Sequence, residues 1–197
     1  MRLNMDIDID VPNRDKILEI LPHIPASSFR NGKIEKHNVG VYFQSIPLDP
    51  ETGYASIGYK EAEKIGYMKF DFLNNSIYEK VRDPNHLDEL LTREPIWELL
   101  EDPSFVERLH HLHDYPHLVT KFKPKGVEEL AALIALIRPG KKHLQRLPKD
   151  QIMKKIWLKE EDEGYTFKKS HAIAYGLSLL VQINLLIEEA ENAIQNT

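Results

Sequence analysis

The sequence predicts an α+β protein, with a small β-containing lobe over residues 1–80 followed by a helical lobe over residues 81–197. Two observations carry this reading. Asp6-Ile7-Asp8-Ile9-Asp10-Val11 alternates strictly between acidic and apolar residues, the period-two mark of a strand, and Met68, Phe70 and Phe72 repeat that spacing. From Asn75 onward the pattern turns helical, broken at Pro84, Pro95, Pro103, Pro116, Pro124, Pro139 and Pro148, so the boundary falls softly near residues 74–85.

In chain order, Pro12 ends the acidic strand, and Pro12 or Asn13 opens a short helix whose apolar stripe is Ile17, Leu18, Ile20 and Leu21. Pro22 and Pro25 stop it. A loop containing Asn31-Gly32 leads into a strand at Val39–Phe43, and the turn residues Asp49-Pro50-Glu51-Thr52-Gly53 predict a hairpin with the Tyr54–Tyr59 segment. Ile65 to Leu73 reads as a strand with Lys69 and Asp71 on the face opposite Met68, Phe70 and Phe72. Pro95 and Pro103 sit where first helical turns begin, before Ile96–Leu100 and Phe105–Leu109. Helices are expected over Val127–Ile137, Lys149–Lys159 and Ser170–Ile194, the last long and amphipathic.

Composition narrows the function classes. At 197 residues, 42% hydrophobic and 29% charged, the chain is an ordinary globular sequence of one domain with an appended lobe. A formal net charge of -5 excludes a global basic signature for nucleic acid, so any such contact must use local patches. Candidates are Lys121, Lys123 and Lys125, then Arg138, Lys141 and Lys142, and the Lys168-Lys169 pair; the competing reading is a solvated face. Without cysteine there are no disulfides or thiolate metal sites. No signal segment and no membrane-spanning apolar run are apparent, which leads to a cytoplasmic expectation with no membrane partner. His110, His111, His113 and His117 suggest a metal cluster, with His110 and His113 on one helix face; against a solvated polar helix this reading is the weaker and receives no catalytic role.

The acidic strand is the chemical feature. Side chains two apart on a strand share a face at a spacing of about 6–7 Å, so Asp6, Asp8 and Asp10 repel one another, and aspartate is a poor strand former. Divalent cations between the carboxylates relieve that cost, as in two-metal phosphoryl transfer. A solvated acidic edge strand that resists aggregation accounts for the same pattern. Asp71, presented forward from a second strand, supplies the further carboxylate a two-metal site needs.

Four separated segments, in order, resemble the bacterial C-family replicative DNA polymerases (the alpha subunit of DNA polymerase III). Asp6-Ile7-Asp8-Ile9-Asp10-Val11 followed by Asn13-Arg14-Asp15 is similar to the family's palm strand PDxDxDF and the basic–acidic pair after it. Lys36-His37-Asn38-Val39-Gly40-Val41 resembles its KHAGGVV stretch, and Glu63 to Leu73 its EKxGLxKFDFLG block. Phe122-Lys123-Pro124 through Arg138-Pro139-Gly140 is close to LKPxxxEDLxALxALYRPG, and Gly164 to Tyr175 to GYGFNKSHAxAY.

The resemblance implies a palm with the nucleotidyltransferase fold of DNA polymerase beta, then a helical fingers- or thumb-like lobe. It implies Asp8, Asp10 and Asp71 as catalytic residues holding two Mg2+ ions, with Mn2+ a substitute. Arg138, Lys169, Ser170 and His171, with Lys36 and His37, become the nucleotide-binding candidates. The expected activity is a miniature DNA polymerase-like nucleotidyltransferase adding deoxynucleotides to a primer 3′-hydroxyl, with DNA primer-template and deoxynucleoside triphosphates as partners. Short gap filling or untemplated end addition is a variant of it. Its rival is a catalytically inactive module that binds DNA, nucleotide or a replisome protein.

Departures from the family pattern weigh on the active reading. Only four residues precede Met5, leaving no room for the family's Gly-Ser phosphate-binding motif, and only residues 141–163 stand where most of its fingers sequence would be. Lys168 replaces the asparagine of the Asn-Lys-Ser-His segment, and Asn74 the glycine after Phe-Asp-Phe-Leu. The family's DNA-binding, clamp-binding and OB regions have no counterpart after the last helix, which speaks against processive synthesis because affinity rests largely on phosphate contacts. Such economy suits a viral or mobile-element product.

Overall fold

The computed structural model describes residues 6–158 and 166–196, with Asp6 described in its backbone only. The protein is α+β and divides into two compact units, Met1–Lys80 and Val81–Thr197. Gly164 and Tyr165, from the fourth resembling segment, and Lys159, the expected end of a helix, lie outside the described residues.

The first unit is built on a four-stranded mixed sheet in the order β1-β4-β3-β2. Its strands are β1 (Asp6–Val11), β2 (Ile24–Arg30), β3 (Lys33–Tyr42) and β4 (Lys69–Asn74). β1 runs parallel to β4, placing Asp8 opposite Asp71 and Ile9 opposite Phe72, while β3 runs antiparallel to β4 with Gly40 opposite Asp71. Period two then sorts the faces. Val11, Val41 and Phe72 pack against Leu18 of α1 (Arg14–Ile20), leaving the aspartates on the other face. Asn13 caps α1, its side-chain oxygen accepting from the Lys16 N–H at 3.1 Å. Asn74 Oδ1 accepts from the Arg14 N–H at 2.6 Å, tying the start of α1 to the end of β4. Asn74, which stands where the resembling motif has glycine, therefore has a structural task.

Three local expectations change. Ile24–Arg30 is a strand, not a loop, and Asn31-Gly32 closes a tight hairpin between Arg30 and Lys33 with φ of 51° and 76° at its two residues. That geometry favours asparagine and glycine and matches the twist of the strands it joins. The hairpin expected around Asp49–Gly53 reduces to one bridge, Leu48 to Ala55, and Tyr59 at the end of its second arm opens α2 (Tyr59–Lys64). Asp49 Oδ1 instead accepts from the Glu51 and Thr52 N–H groups, so the turn is closed by its own side chain. β4 begins at Lys69, since Gly66 at φ 98° follows the end of α2.

The second unit is helical: α3 (Pro84–Thr92), α4 (Pro103–Val106), α5 (Pro116–Phe122), α6 (Val127–Leu136), α7 (Lys149–Lys155) and α8 (Lys169–Gln195), with 3-10 turns at Trp97–Glu101 and Pro139–Arg146. Residues Leu130 to Leu136 of α6 are all buried, so this helix forms the unit's centre, as expected of a helix apolar all round. α8 packs along it through Leu179, Ile183, Leu186 and Ile187. Contrary to the sequence reading, α8 is long and apolar enough to cross a bilayer; 67% of its most apolar window is buried within the protein, the pattern of a core helix. Residues 107–115 are turns rather than helix, with His111 in the left-handed region at φ 62°, so His110 and His113 do not share a helix face.

Candidate functional site

In the first unit the sheet itself assembles the acidic group. Adjacent strands lie about 4.8 Å apart, and residues in register across a parallel pair project to the same side. The pairing of Asp8 with Asp71 therefore sets two carboxylates side by side on the face away from α1. Asp10 lies one repeat further along, opposite Leu73. Its environment differs from that of Asp8, which is exposed. Burial pushes the Asp10 pKa upward, a hydrogen bond with Asn75 opposes this, and the Asp8 charge adds to the rise. Tyr78 completes this corner: burial, then the Asp10 charge, raise its hydroxyl pKa.

Asp71 is held on one side by a lysine and flanked on the other by a histidine. Lys69, its side chain 5% exposed, donates to Asp71 Oδ2 at 2.5 Å. On the other side His37 Nδ1 lies 4.0 Å from Asp71 Oδ1. A bulge brings the histidine there: the step from Pro25 to Ser27 on β2 is matched by the step from Val41 to Lys36 on β3, so intervening residues swing out of the ladder. Gly40 closes the bulge by donating its N–H to His37 Nδ1 at 2.9 Å. A Cβ at Gly40 would stand 2.8 Å from His37 Nδ1 and Lys69 Cδ and 3.0 Å from Asp71 Oδ1, so only glycine leaves room for this cluster. Tyr59 from α2 backs it, its ring edge-on to His37 at 5.1 Å and 5.7 Å from Lys69 Nζ. Lys36 is exposed on β3 and pairs with Ser27, on the side toward β2.

Asp71 Oδ1 is buried and accepts no hydrogen bond. An orphaned carboxylate oxygen beside a second carboxylate suits a hard divalent cation, which takes oxygen ligands. Among the described residues, no group of three or more His, Cys, Asp or Glu side chains is placed to hold a metal ion. Lys69 engages one oxygen of Asp71, and Asp10 is hydrogen-bonded to Asn75. Asp8, Asp10 and Asp71 offer oxygen donors of the kind a hard divalent cation takes, and the ammonium of Lys69 neutralises part of the acidic face.

The Asp10 environment yields a prediction. A carboxyl whose folded pKa is raised above its unfolded value favours folding while protonated, and this contribution is lost as pH rises through the folded pKa. At neutral pH the ionised Asp10 is therefore a net cost. Asp10→Asn is expected to raise, not lower, the melting temperature at pH 7, with the gain vanishing toward pH 3; thermal unfolding at the two pH values checks it.

In the second unit, Arg138 caps the 3-10 turn Pro139–Arg146, and its guanidinium lies 4.1 Å from the centre of the Phe167 ring. Its Nε is buried without a hydrogen-bond partner. Lys169 and Ser170 are exposed and His171 is half-buried, all in the first turn of α8. Lys169 Nζ is 3.8 Å from Glu128 and 6.0 Å from the centre of the Trp157 ring. Lys168 precedes them in extended conformation and makes no side-chain cap, so the α8 start has no side-chain acceptor from that residue. Lys141, one of the basic-patch candidates, is buried and donates to the Leu158 carbonyl at 2.5 Å; it holds the fold rather than presenting charge.

Sequence reasoning passed over Tyr59, Phe167, Tyr175 and the bulge at Gly40. The dipeptide Val39-Gly40 inside a strand is the one signal for that bulge; the aromatic contacts join residues distant in sequence and leave no periodic trace. The chain matches no family model, and no curated protein matches it significantly.

Proposed function

We propose that the protein is a nucleotidyltransferase of the C-family polymerase type, adding deoxynucleotides to a DNA primer end, with a palm-like first unit. The observation that carries this reading is the register of β1 against β4, which sets Asp8 beside Asp71 on one polar sheet face with Asp10 next along. Two carboxylate-bearing strands joined in this way, with an unpaired oxygen at Asp71, are what two-metal phosphoryl transfer requires of a protein. Asp8, Asp10 and Asp71 would hold the two magnesium ions, which supply charge neutralisation and activation of the primer hydroxyl.

The chain's own residues do the rest. Lys69 keeps Asp71 oriented, and the Gly40 N–H holds His37 beside it. Arg138, Lys169, Ser170 and His171 bring two permanent cations and two polar side chains suited to a triphosphate, and the N–H groups of the first turn of α8 lack intrahelical acceptors. Little covalent chemistry falls to the protein in such a transfer; positioning and electrostatics dominate.

The test is primer extension by highly purified protein on a primed template with magnesium. Incorporation is expected, with a loss on the order of 10²–10³-fold in Asp8→Asn, since comparable losses follow removal of one electrostatic stabiliser. Asp8 is exposed, so that variant should fold as the parent does. Absence of incorporation, or incorporation equal in Asp8→Asn, ends the enzyme reading. DNA or nucleotide binding that persists in the Asp8→Asn protein without turnover would instead assign it to the silent binding module.

A further inference from the structure

We propose that Arg138, Phe167, Tyr175 and His111 form a phosphate-binding corner of the helical unit in which anion binding is coupled to protonation of His111. The proposal rests on the reading of Arg138 as a phosphate-facing residue, and adds the aromatic support and the histidine, which that reading does not contain.

The four side chains make one continuous stack. The Arg138 guanidinium covers Phe167 at 4.1 Å, Phe167 lies nearly parallel to Tyr175 at 5.4 Å and 16°, and Tyr175 meets His111 edge-on at 4.9 Å and 87°. Stacking on an aromatic face fixes the plane of a guanidinium while leaving its edge N–H groups to donate. One of them, Nε, is buried with no partner, a cost that a bound anion would remove.

His111 is brought to this stack by force. It is one of the non-glycine residues with positive φ, at 62°, a strained conformation that persists when surrounding contacts impose it. Those contacts come from α8. Gln182 donates to the Arg108 carbonyl at 2.8 Å and accepts from the His110 N–H at 2.9 Å, clasping the turn just before His111. Tyr175 lies two helical turns before Gln182 on the same α8 face, where it receives the imidazole.

Among the described residues, the charged and titratable groups around His111 are Arg138 at the end of α6, Tyr175 on α8, and His110 and His113 on its own turn, with Asp114 3.3 Å from His113. Packing against the protein, then Arg138, then the two histidines, hold the His111 pKa below its ordinary value, so the imidazole is neutral at pH 7. An oxyanion on Arg138 would reverse the sign of the dominant charge nearby and favour the imidazolium. Binding then takes up a proton, and affinity is greatest below the pKa of the free protein and declines as pH rises through the higher pKa of the complex.

The experiment uses the full chain and sulfate, which remains a dianion throughout the range in which histidine titrates, at constant ionic strength without divalent metal or DNA. Histidine ring resonances are followed by NMR against pH, and the His111 signal is assigned by its loss in His111→Asn, a residue that tolerates left-handed backbone. Saturating sulfate is expected to move the His111 midpoint upward, and affinity should fall by up to about tenfold per pH unit across that window. His111→Asn should still bind but with a flat pH dependence, while Arg138→Gln should weaken binding at least tenfold. An unmoved His111 midpoint, the same pH dependence in His111→Asn, or no sulfate binding at all overturns the proposal. Proton-linked binding in a protein that extends no primer would defeat the polymerase reading alone; extension with pH-indifferent sulfate binding would defeat this one alone.

Discussion

Replacing Asp71 by asparagine is expected to cost both activity and stability, where replacing Asp8 costs activity alone. Asp8 is exposed on the edge strand β1, so asparagine there removes a charge that solvent already screens. Asp71 is different: its carboxylate is 13% exposed and neutralises an ammonium, that of Lys69, which is 5% exposed. Asparagine is the same size but removes the carboxylate that neutralises the buried ammonium of Lys69. Removing one partner of a buried pair costs about 3–5 kcal/mol, most of it the desolvation of the charge left behind. The 13% exposure of Asp71 and the further contact of Lys69 with the Tyr59 ring at 5.7 Å put the expected loss at or below the lower figure. On the proposed polymerase reading, incorporation should fall on the order of 10²–10³-fold in both variants, as for loss of one electrostatic stabiliser.

The double replacement Lys69→Leu with Asp71→Leu separates the two effects, because an apolar pair of similar volume is often neutral or stabilising where a half-pair is not. It should recover most of the stability lost in Asp71→Asn and none of the activity. Urea unfolding of the full chain, with hydrogen exchange at the β3 and β4 amides to localise the change, measures it. Equal stability of Asp71→Asn and Asp8→Asn would show that Lys69 does not depend on Asp71.

The strands that carry the acidic face were legible because each advertises itself within a few residues. In β1 the aspartates alternate with Ile7, Ile9 and Val11, and in β4 the polar Lys69 and Asp71 alternate with Phe70 and Phe72. β2 was hidden because Pro25 and the serines Ser27 and Ser28 imitate a loop; its pairing with β3 comes from the Asn31-Gly32 turn and from burial of Ala26, which is fully enclosed. The helices α6 and α8 announce themselves by length and apolar content, but residues 107–115 also have helical spacing and form turns instead, clasped by Gln182 from far along the chain. The same limit applies to the site. A shared strand face follows from period two, whereas the swing of His37 toward Asp71 depends on a bulge and on the close approach at Gly40, which no local pattern encodes.

Gly176→Val is expected to be among the most damaging single changes in the helical unit, although it adds only apolar atoms to an apolar helix. Gly176 lies where α8 crosses the first turn of α6. A Cβ there would stand 2.8 Å from the Val127 carbonyl oxygen and 3.2 Å from the Ala131 nitrogen, both backbone atoms that no rotamer change can move. Two helices can approach this closely only with glycine at the contact, so valine must drive them apart across the most buried layer of the core. Overpacking typically costs about 1–3 kcal/mol, and a clash with rigid backbone belongs at the top of that range. The expected loss is about 3 kcal/mol, or roughly 10 °C in melting temperature for a chain of this size. Gly176→Ala should be milder, because about 1 kcal/mol of helix propensity offsets the smaller clash. Tyr175 is the adjacent residue, so the displacement should also reach His111 and Phe167 and weaken sulfate binding in the folded fraction. Thermal unfolding of both variants, with sulfate titration well below the midpoint, measures the two effects. A Gly176→Ala protein more stable than the parent would show that α8 and α6 are not in contact at this point.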